Sequence, residues 1–161
     1  ESSQDPHPYV CFFLGLYYFR GHGGFDKNLY RAKYYLEEAA ERGGTDEMRA
    51  DVHTYIAACL MELCEAQHNG ANDIPGFCPI PRALACYRKA AAGGDKFAKG
   101  MIEQFQDQLQ QKCANCKRNA DSLPGKMKQC GKCKSMWYCG KDCQVEHWNA
   151  GHKIDCVKHK G

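Results

Sequence analysis

Between Cys113 and Cys156 the chain repeats one kind of residue at spacings that allow few folds: Cys113-x2-Cys116-x13-Cys130-x2-Cys133-x5-Cys139-x3-Cys143-x8-His152-x3-Cys156. Seven thiols and one imidazole are enough for two tetrahedral zinc sites with none left over. A Cys-x2-Cys pair closes a tight knuckle around one ion. Cys139/Cys143 and His152/Cys156 lie i, i+4, so each pair faces one side of a helical turn. The competing reading, a core of packed thiols, runs short of material: only Leu123, Met127, Met136, Trp137, Tyr138, Val145, Trp148, Ile154 and Val157 are available to build it. For about fifty residues that is too little apolar mass. A structural zinc contributes on the order of 10 to 16 kcal/mol near neutral pH, so two of them replace the missing core and make folding depend on metal.

The rest of the chain has a different character. The other five cysteines (Cys11, Cys59, Cys64, Cys78, Cys86) follow no regular spacing. Residues 112 to 161 carry eleven Lys/Arg against four Asp/Glu, a net +7, while residues 1 to 111 carry eleven against fifteen, a net −4. The boundary is read near Gln111. At 161 residues and 43% hydrophobic, the chain has material for one ordinary globular body or two small ones. Its longest apolar run, Tyr9 to Phe19, is about half of a bilayer-spanning helix and lacks the basic flank and cleavage site of a secretory signal. No membrane is expected. Twelve cysteines without an export signal argue for a reducing compartment, cytoplasmic or nuclear, and for metal over disulfides. The chain begins at Glu1, which leaves open that it is a piece of something longer.

Residues 9 to 111 read as paired helices. Arg31 to Gly44 and Arg82 to Asp95 superpose at an offset of 51, with Ala32 on Ala83, Ala39 and Ala40 on Ala90 and Ala91, and Gly43 on Gly94. Both segments end in paired glycines suited to a left-handed stop, and Pro81 suits a first helical turn. Between them Val52, Tyr55, Ile56, Cys59, Leu60 and Leu63 form one apolar helical face. A last helix after Asp95 is expected to align Phe97, Ala98, Met101, Ile102, Phe105 and Leu109 on one side. The first helix, Tyr9 to Arg20, is apolar nearly all round and is expected to be covered on several faces. Narrow-faced helices of this kind are stabilised by stacking on the next pair. In Gly15, Gly21, Gly24, Ala32, Ala39, Ala40 and Gly43 the segment resembles the Sel-one-like repeat, a relative of the tetratricopeptide repeat. That resemblance covers about two and a half repeats and implies a scaffold that binds proteins. The longer second spacing is assigned to the loop from Asn69 to Pro81.

The cysteine-rich segment resembles the MYND-type zinc finger through every ligand and through Tyr138-Cys139, Cys143-Gln144 and His147-Trp148. The resemblance implies interleaved sites, Cys113, Cys116, Cys139 and Cys143 for one ion and Cys130, Cys133, His152 and Cys156 for the other. Spacing alone also permits a sequential site of Cys113, Cys116, Cys130 and Cys133, and His147 rivals His152 because Cys143-x3-His147 has the same helical spacing. His152 is preferred. A catalytic zinc keeps an open position, and the ligand count here closes both sites. In the RING-type ubiquitin ligase finger the histidine stands mid-series, whereas here it is seventh. The glycine-rich cofactor loop of a methyltransferase is not seen in this sequence.

Binding is therefore the expected role. The finger's +7 falls to about +4 once seven thiolates and two Zn2+ are counted, too modest to favour nucleic acid as the partner. MYND fingers dock proline-rich segments, whose preformed extended backbone limits the entropy cost. By the same resemblance Gln144 and Trp148 lie at the peptide groove; the competing readings are a core tryptophan that packs the helix on the knuckles and a surface amide. Gly131 stands where some peptide-binding members have serine. Cys59, Cys64 and His68 form a weaker metal candidate, because buried helix cysteines usually only pack. His7 and His53 have no evident partner.

The expected architecture is mainly α: an N-terminal segment 1–8, helical repeats 9–111, a two-zinc finger 112–158 with little regular structure and a short helix, and a tail 159–161. The expected function is a non-enzymatic zinc-binding adapter between proteins. The alternatives are the regulatory or substrate-recruiting part of a larger enzyme, such as a protein lysine methyltransferase, and a nucleic-acid-binding finger. Oligomeric state is not legible.

Overall fold

In a computed structural model of the chain, residues 6–68 and 78–159 are described. Five helices come first: α1 (Pro8–Arg20), α2 (Leu29–Arg42), α3 (Asp46–His68), α4 (Ile80–Ala92) and α5 (Lys96–Leu109). Their starts are set by local chemistry. The His7 ring nitrogen accepts from Tyr9 N–H at the head of α1, Asn28 Oδ1 from Arg31 N–H at α2, Thr45 Oγ1 from Met48 N–H at α3, and Asp95 Oδ1 from Ala98 N–H at α5. Each satisfies an N–H that the helix leaves without an internal partner. His7, unassigned in the sequence, is thus a cap. Helix α1 ends at Gly21, whose φ of 70° and ψ of 49° are left-handed and close a bond from Gly21 N–H to Tyr17 O.

Each helix packs on the next in chain order, α1 on α2, α2 on α3, α3 on α4 and α4 on α5, the nearest-neighbour pattern of a stacked repeat. The core runs through Leu36, Val52, Ile56, Leu60, Leu84 and Tyr87, with Ala32, Ala39, Ala83 and Ala90 where helices cross closely. At the tightest crossing a Cβ on Gly15 would stand 2.7 Å from Leu36 Cγ, so glycine lets α1 approach α2. Tyr55 and Leu60 belong to this core, as the α3 pattern predicts, while Cys59 is buried there as a packing thiol. No helix among the described residues is long and apolar enough to cross a membrane.

Three expectations need correction. Helix α1 is not covered on several faces: Tyr9, Val10, Phe13 and Tyr17 are exposed, because α2 and α3 reach only one side. On α5, Phe97 is 62% exposed while Ala98 is buried, so the apolar stripe starts one residue later than its periodicity implies. The longer second repeat owes more to α3, with 23 residues against 13 in α1, than to its loop. Residues 69–77 and the side chain of His68, with the weaker metal candidate that includes it, lie outside the described residues, as does most of the N-terminal segment.

Beyond α5 regular structure is sparse. A hairpin pairs β1 (Lys128–Gln129) with β2 (Trp137–Tyr138), antiparallel, with Lys128 opposite Tyr138 and Gln129 opposite Trp137. Helix α6 (Lys141–His147) continues through a wider turn, Trp148–His152, that breaks at Gly151 (φ 147°) before a last turn, Lys153–Asp155.

Candidate metal centre

Both Cys-x2-Cys segments fold into the same knuckle. In the first, Lys117 N–H donates to Cys113 O at 3.0 Å, and in the second Lys134 N–H donates to Cys130 O at 3.0 Å. The residue after each second cysteine is left-handed, Lys117 at φ 61° and Lys134 at φ 53°, a conformation that lysine adopts at a cost. The turn aims both sulfurs of a pair at one point. The hairpin then ties the knuckles together, since Ala114 N–H donates to Trp137 O at 2.8 Å and Cys130 N–H to Met136 O at 2.8 Å. Helix α6 starts after Gly140, which brings Cys143 back over Cys139.

Two clusters result, Cys113, Cys116, Cys139 and Cys143 in one and Cys130, Cys133, His152 and Cys156 in the other. Within each, the four donor atoms lie within 4.8 Å of one another. Sulfur–sulfur distances are 3.7 Å for Cys116–Cys139, 3.4 Å for Cys139–Cys143 and 3.9 Å for Cys130–Cys156, and Cys133 Sγ is 3.7 Å from His152 Nε2. A disulfide needs about 2.05 Å, whereas the edges of a tetrahedron built on zinc–sulfur bonds of about 2.3 Å are roughly 3.8 Å. All twelve cysteines are free thiols. The two clusters fit two zinc ions, and each offers four protein ligands without an open position.

The two clusters interleave along the chain, Cys113 and Cys116 meeting Cys139 and Cys143 across the Cys130–Cys133 knuckle that belongs to the other cluster; the sequential four-cysteine site is not formed. His147 is turned away from both clusters. Its Nδ1 meets the Tyr138 hydroxyl at 3.0 Å, and its ring stacks on that of His152 at 5.1 Å. His152 is fully buried with Nε2 on the sulfurs, and its Nδ1 makes no hydrogen bond within the protein.

Electrostatics divides the sulfurs: Cys113, Cys116 and Cys130 are drawn toward ionisation, while Cys133, Cys139, Cys143 and Cys156 are pushed up. Burial opposes ionisation of Cys113, but the N–H groups of Cys139, Cys116 and Asn115 more than offset it; Cys130 is lowered in the same way by Cys133 and Lys132. The backbone N–H of Arg118 and then its guanidinium bring Cys116 down to about 6. Donation to Cys143 pushes Cys139 up to about 12. Sulfurs this close share protons without a cation and release them to one. Cys59, buried between α-helices, is pushed up to about 12 by desolvation and belongs to no such cluster among the described residues.

The two clusters differ in exposure. All four ligands of the histidine-bearing cluster are buried, whereas Cys116 is exposed and Cys139 and Cys143 are half-buried. Trp148 is 36% exposed and so is not a core residue; its ring meets His152 edge-on at 5.8 Å, and Lys132 Nζ lies 5.6 Å from its centroid. Gln144 is half-buried, one turn before it on α6.

Sequence reasoning missed the residues that fasten this centre to the repeats. Arg88 on α4 donates to Cys133 O at 3.3 Å and to Ser135 Oγ at 3.2 Å. Arg82, also on α4, lies 3.6 Å from Asp155, whose side chain is 5% exposed, and 3.9 Å from Glu37 on α2. Asp155 accepts from Cys78 N–H at 3.4 Å. Cys78 and Ile80 pack against the buried knuckle. The available signal was Arg82 and Arg88 standing six residues apart on a mostly apolar helix.

Comparison with known proteins assigns both halves. Residues 111–156 match the MYND finger family, and residues 8–44 and 57–95 match the Sel1 repeat. The chain carries a MYND finger behind Sel1 repeats. Both families are protein-interaction modules. Among curated proteins the chain is similar to ubiquitin carboxyl-terminal hydrolase 19 of Arabidopsis thaliana, 29% identical over 77 residues, which is 48% of this chain and 11% of the relative. It is similar to ubiquitin C-terminal hydrolase 15 of Oryza sativa subsp. japonica, 39% identical over 49 residues, 30% of this chain and 4% of the relative. Ubiquitin carboxyl-terminal hydrolase 17 of Arabidopsis thaliana is 50% identical over 28 residues, 17% of this chain and 4% of the relative. The chain thus spans about a tenth or less of the length of these relatives. No solved structure matches.

Proposed function

We propose that the protein is a non-enzymatic adapter in which the MYND finger, held by zinc on Cys113, Cys116, Cys139 and Cys143 and on Cys130, Cys133, His152 and Cys156, docks short proline-rich segments of a partner. The zinc supplies cross-links in place of a core and no reaction, since four protein ligands around each ion leave no place for substrate. The observation that carries the reading is the indole of Trp148, 36% exposed and set edge-on against the buried His152 ring. A flat aromatic with an amide one turn away suits the rings and carbonyls of an extended proline-rich backbone. The Sel1 repeats offer a second protein partner a separate surface. Zinc thiolates of this kind persist in the cytoplasm or nucleus.

Titration of the zinc-loaded protein with proline-rich peptides, followed by amide and indole NMR shifts, tests the reading. Shifts centred on Trp148 and Gln144 support it; none there, in a folded protein holding two zincs, would sink it. A second reading has its own support, because the relatives named above are ubiquitin hydrolases far longer than this chain. In it the two modules recruit substrate for a larger enzyme. The full open reading frame decides between them, through the presence or absence of a hydrolase domain.

A further inference from the structure

A groove of about 710 Å³ runs between the end of α1, the first half of α3 and the α4–α5 turn, well away from the zinc clusters. Three aromatic rings line it. Phe19 and Tyr55 meet edge to face at 5.6 Å, and Phe97, 62% exposed, joins the lining from the head of α5. An exposed phenylalanine that lines a groove together with two other aromatic rings marks apolar surface available to a partner.

The polar lining is of one sign. Glu47, Asp51 and Tyr55 follow i, i+4, i+8 along α3, and Asp95 faces them from the α4–α5 turn; no lysine or arginine lines the groove among the described residues. Asp95 stays ionised: the Thr54 hydroxyl and the N–H groups of Ala98 and Phe97 outweigh its burial and hold its carboxyl below the usual range. The Asp51 carboxyl is raised, by burial first and then by the negative charges of Asp95 and Glu47. Arg20, the residue after Phe19, donates to the Tyr55 hydroxyl at 2.9 Å. These carboxylates do not converge on a metal, since the two donor clusters found among the described residues are those of the finger.

We propose that this groove docks an extended peptide segment of a partner protein that carries lysine or arginine beside an apolar residue. The cationic side chain meets Asp51 and Glu47, relieving their mutual repulsion, and the apolar residue enters between Tyr55 and Phe97. The surface is distinct from Trp148 and Gln144, so one molecule can hold two partners.

Fluorescence anisotropy of the full zinc-loaded chain with a short labelled peptide of lysine, leucine and glycine tests this, against the same peptide with glutamate for lysine. The lysine peptide is expected to bind, more weakly as salt rises. Asp51→Asn and Glu47→Gln should each weaken it about threefold, and Phe97→Ala about tenfold. All three positions are exposed, so the variants fold. Trp148→Ala should leave this binding unchanged. Equal binding of the glutamate peptide, or indifference to the three variants, overturns the proposal. So does failure of the peptide together with self-association that Asp51→Asn abolishes, which would make the basic finger of a second copy the occupant.

Discussion

Replacing Arg88 with Met removes a guanidinium while keeping most of the aliphatic stem. The structure fixes the size of the effect. Arg88 makes two contacts of hydrogen-bond length to the finger, 3.3 Å to Cys133 O and 3.2 Å to Ser135 Oγ, and a third to Lys134 O at 3.5 Å that is too long to count fully. Bonds from a charged donor are worth about 1.5 to 3 kcal/mol each, but Arg88 is only half-buried and water takes over part of their strength. Cys133 O also keeps a second donor, the Ser135 hydroxyl at 3.0 Å, so no acceptor is left orphaned. The expected cost is about 2 kcal/mol for the pair. For a chain of this size that is roughly 4 to 8 °C in Tm, read by circular dichroism of the helices with zinc bound. The same variant measured after chelation should cost less than about 0.5 kcal/mol, because the knuckle that offers the carbonyls is then open. Equal losses with and without zinc would refute the coupling of knuckle to repeat.

Four further outcomes are expected. His152→Ala should lower the zinc content from two ions to one and unfold the buried knuckle, whereas His147→Ala should keep both ions and cost about 1 kcal/mol for its bond to Tyr138, by elemental analysis and denaturation. A chelating dye should release zinc in two phases, the first from the cluster with exposed Cys116, and Cys116→Ser should speed only that phase. Gly15→Ala should cost about 1 to 3 kcal/mol, because its Cβ would meet the Leu36 side chain at 2.7 Å; no loss of stability would show that α1 slides away freely. Lys134→Gly should stabilise the finger by about 0.5 kcal/mol, the left-handed penalty outweighing glycine's extra freedom when unfolded, measured as a rise in the denaturation midpoint.

Much of this was legible because ligand spacing and helical period are local quantities. The knuckles, the pairing of Cys139 with Cys143 and the helices around Ala32 and Ala83 depend on residues a few positions apart. What failed depends on distance in the chain. Phe97 fits an apolar stripe, yet which face of α5 meets α4 is decided by the packing of Tyr87 and Phe105, whose rings stack at 6.4 Å. The apolar circumference of α1 says nothing of how many neighbours arrive to cover it. Arg82 and Asp155 look like solvated charges until folding brings them together across 73 positions. His147 and His152 are equivalent by spacing, and the break at Gly151 between them turns one toward sulfur and the other toward the Tyr138 hydroxyl.

The interleaving of ligands has a consequence for the order in which the protein is made. During synthesis the chain emerges from its amino end, so α1 to α5 can stack while the cysteines are still inside the ribosome. Neither cluster is a run of neighbours: the first waits for Cys143, and the second, whose knuckle receives Arg88, waits for Cys156. The last secure contact between finger and repeats therefore forms only when the final ligand is out, and a nascent chain stopped a few residues early would carry finished repeats and an open knuckle. Loading of the second ion thus depends on translation having reached Cys156.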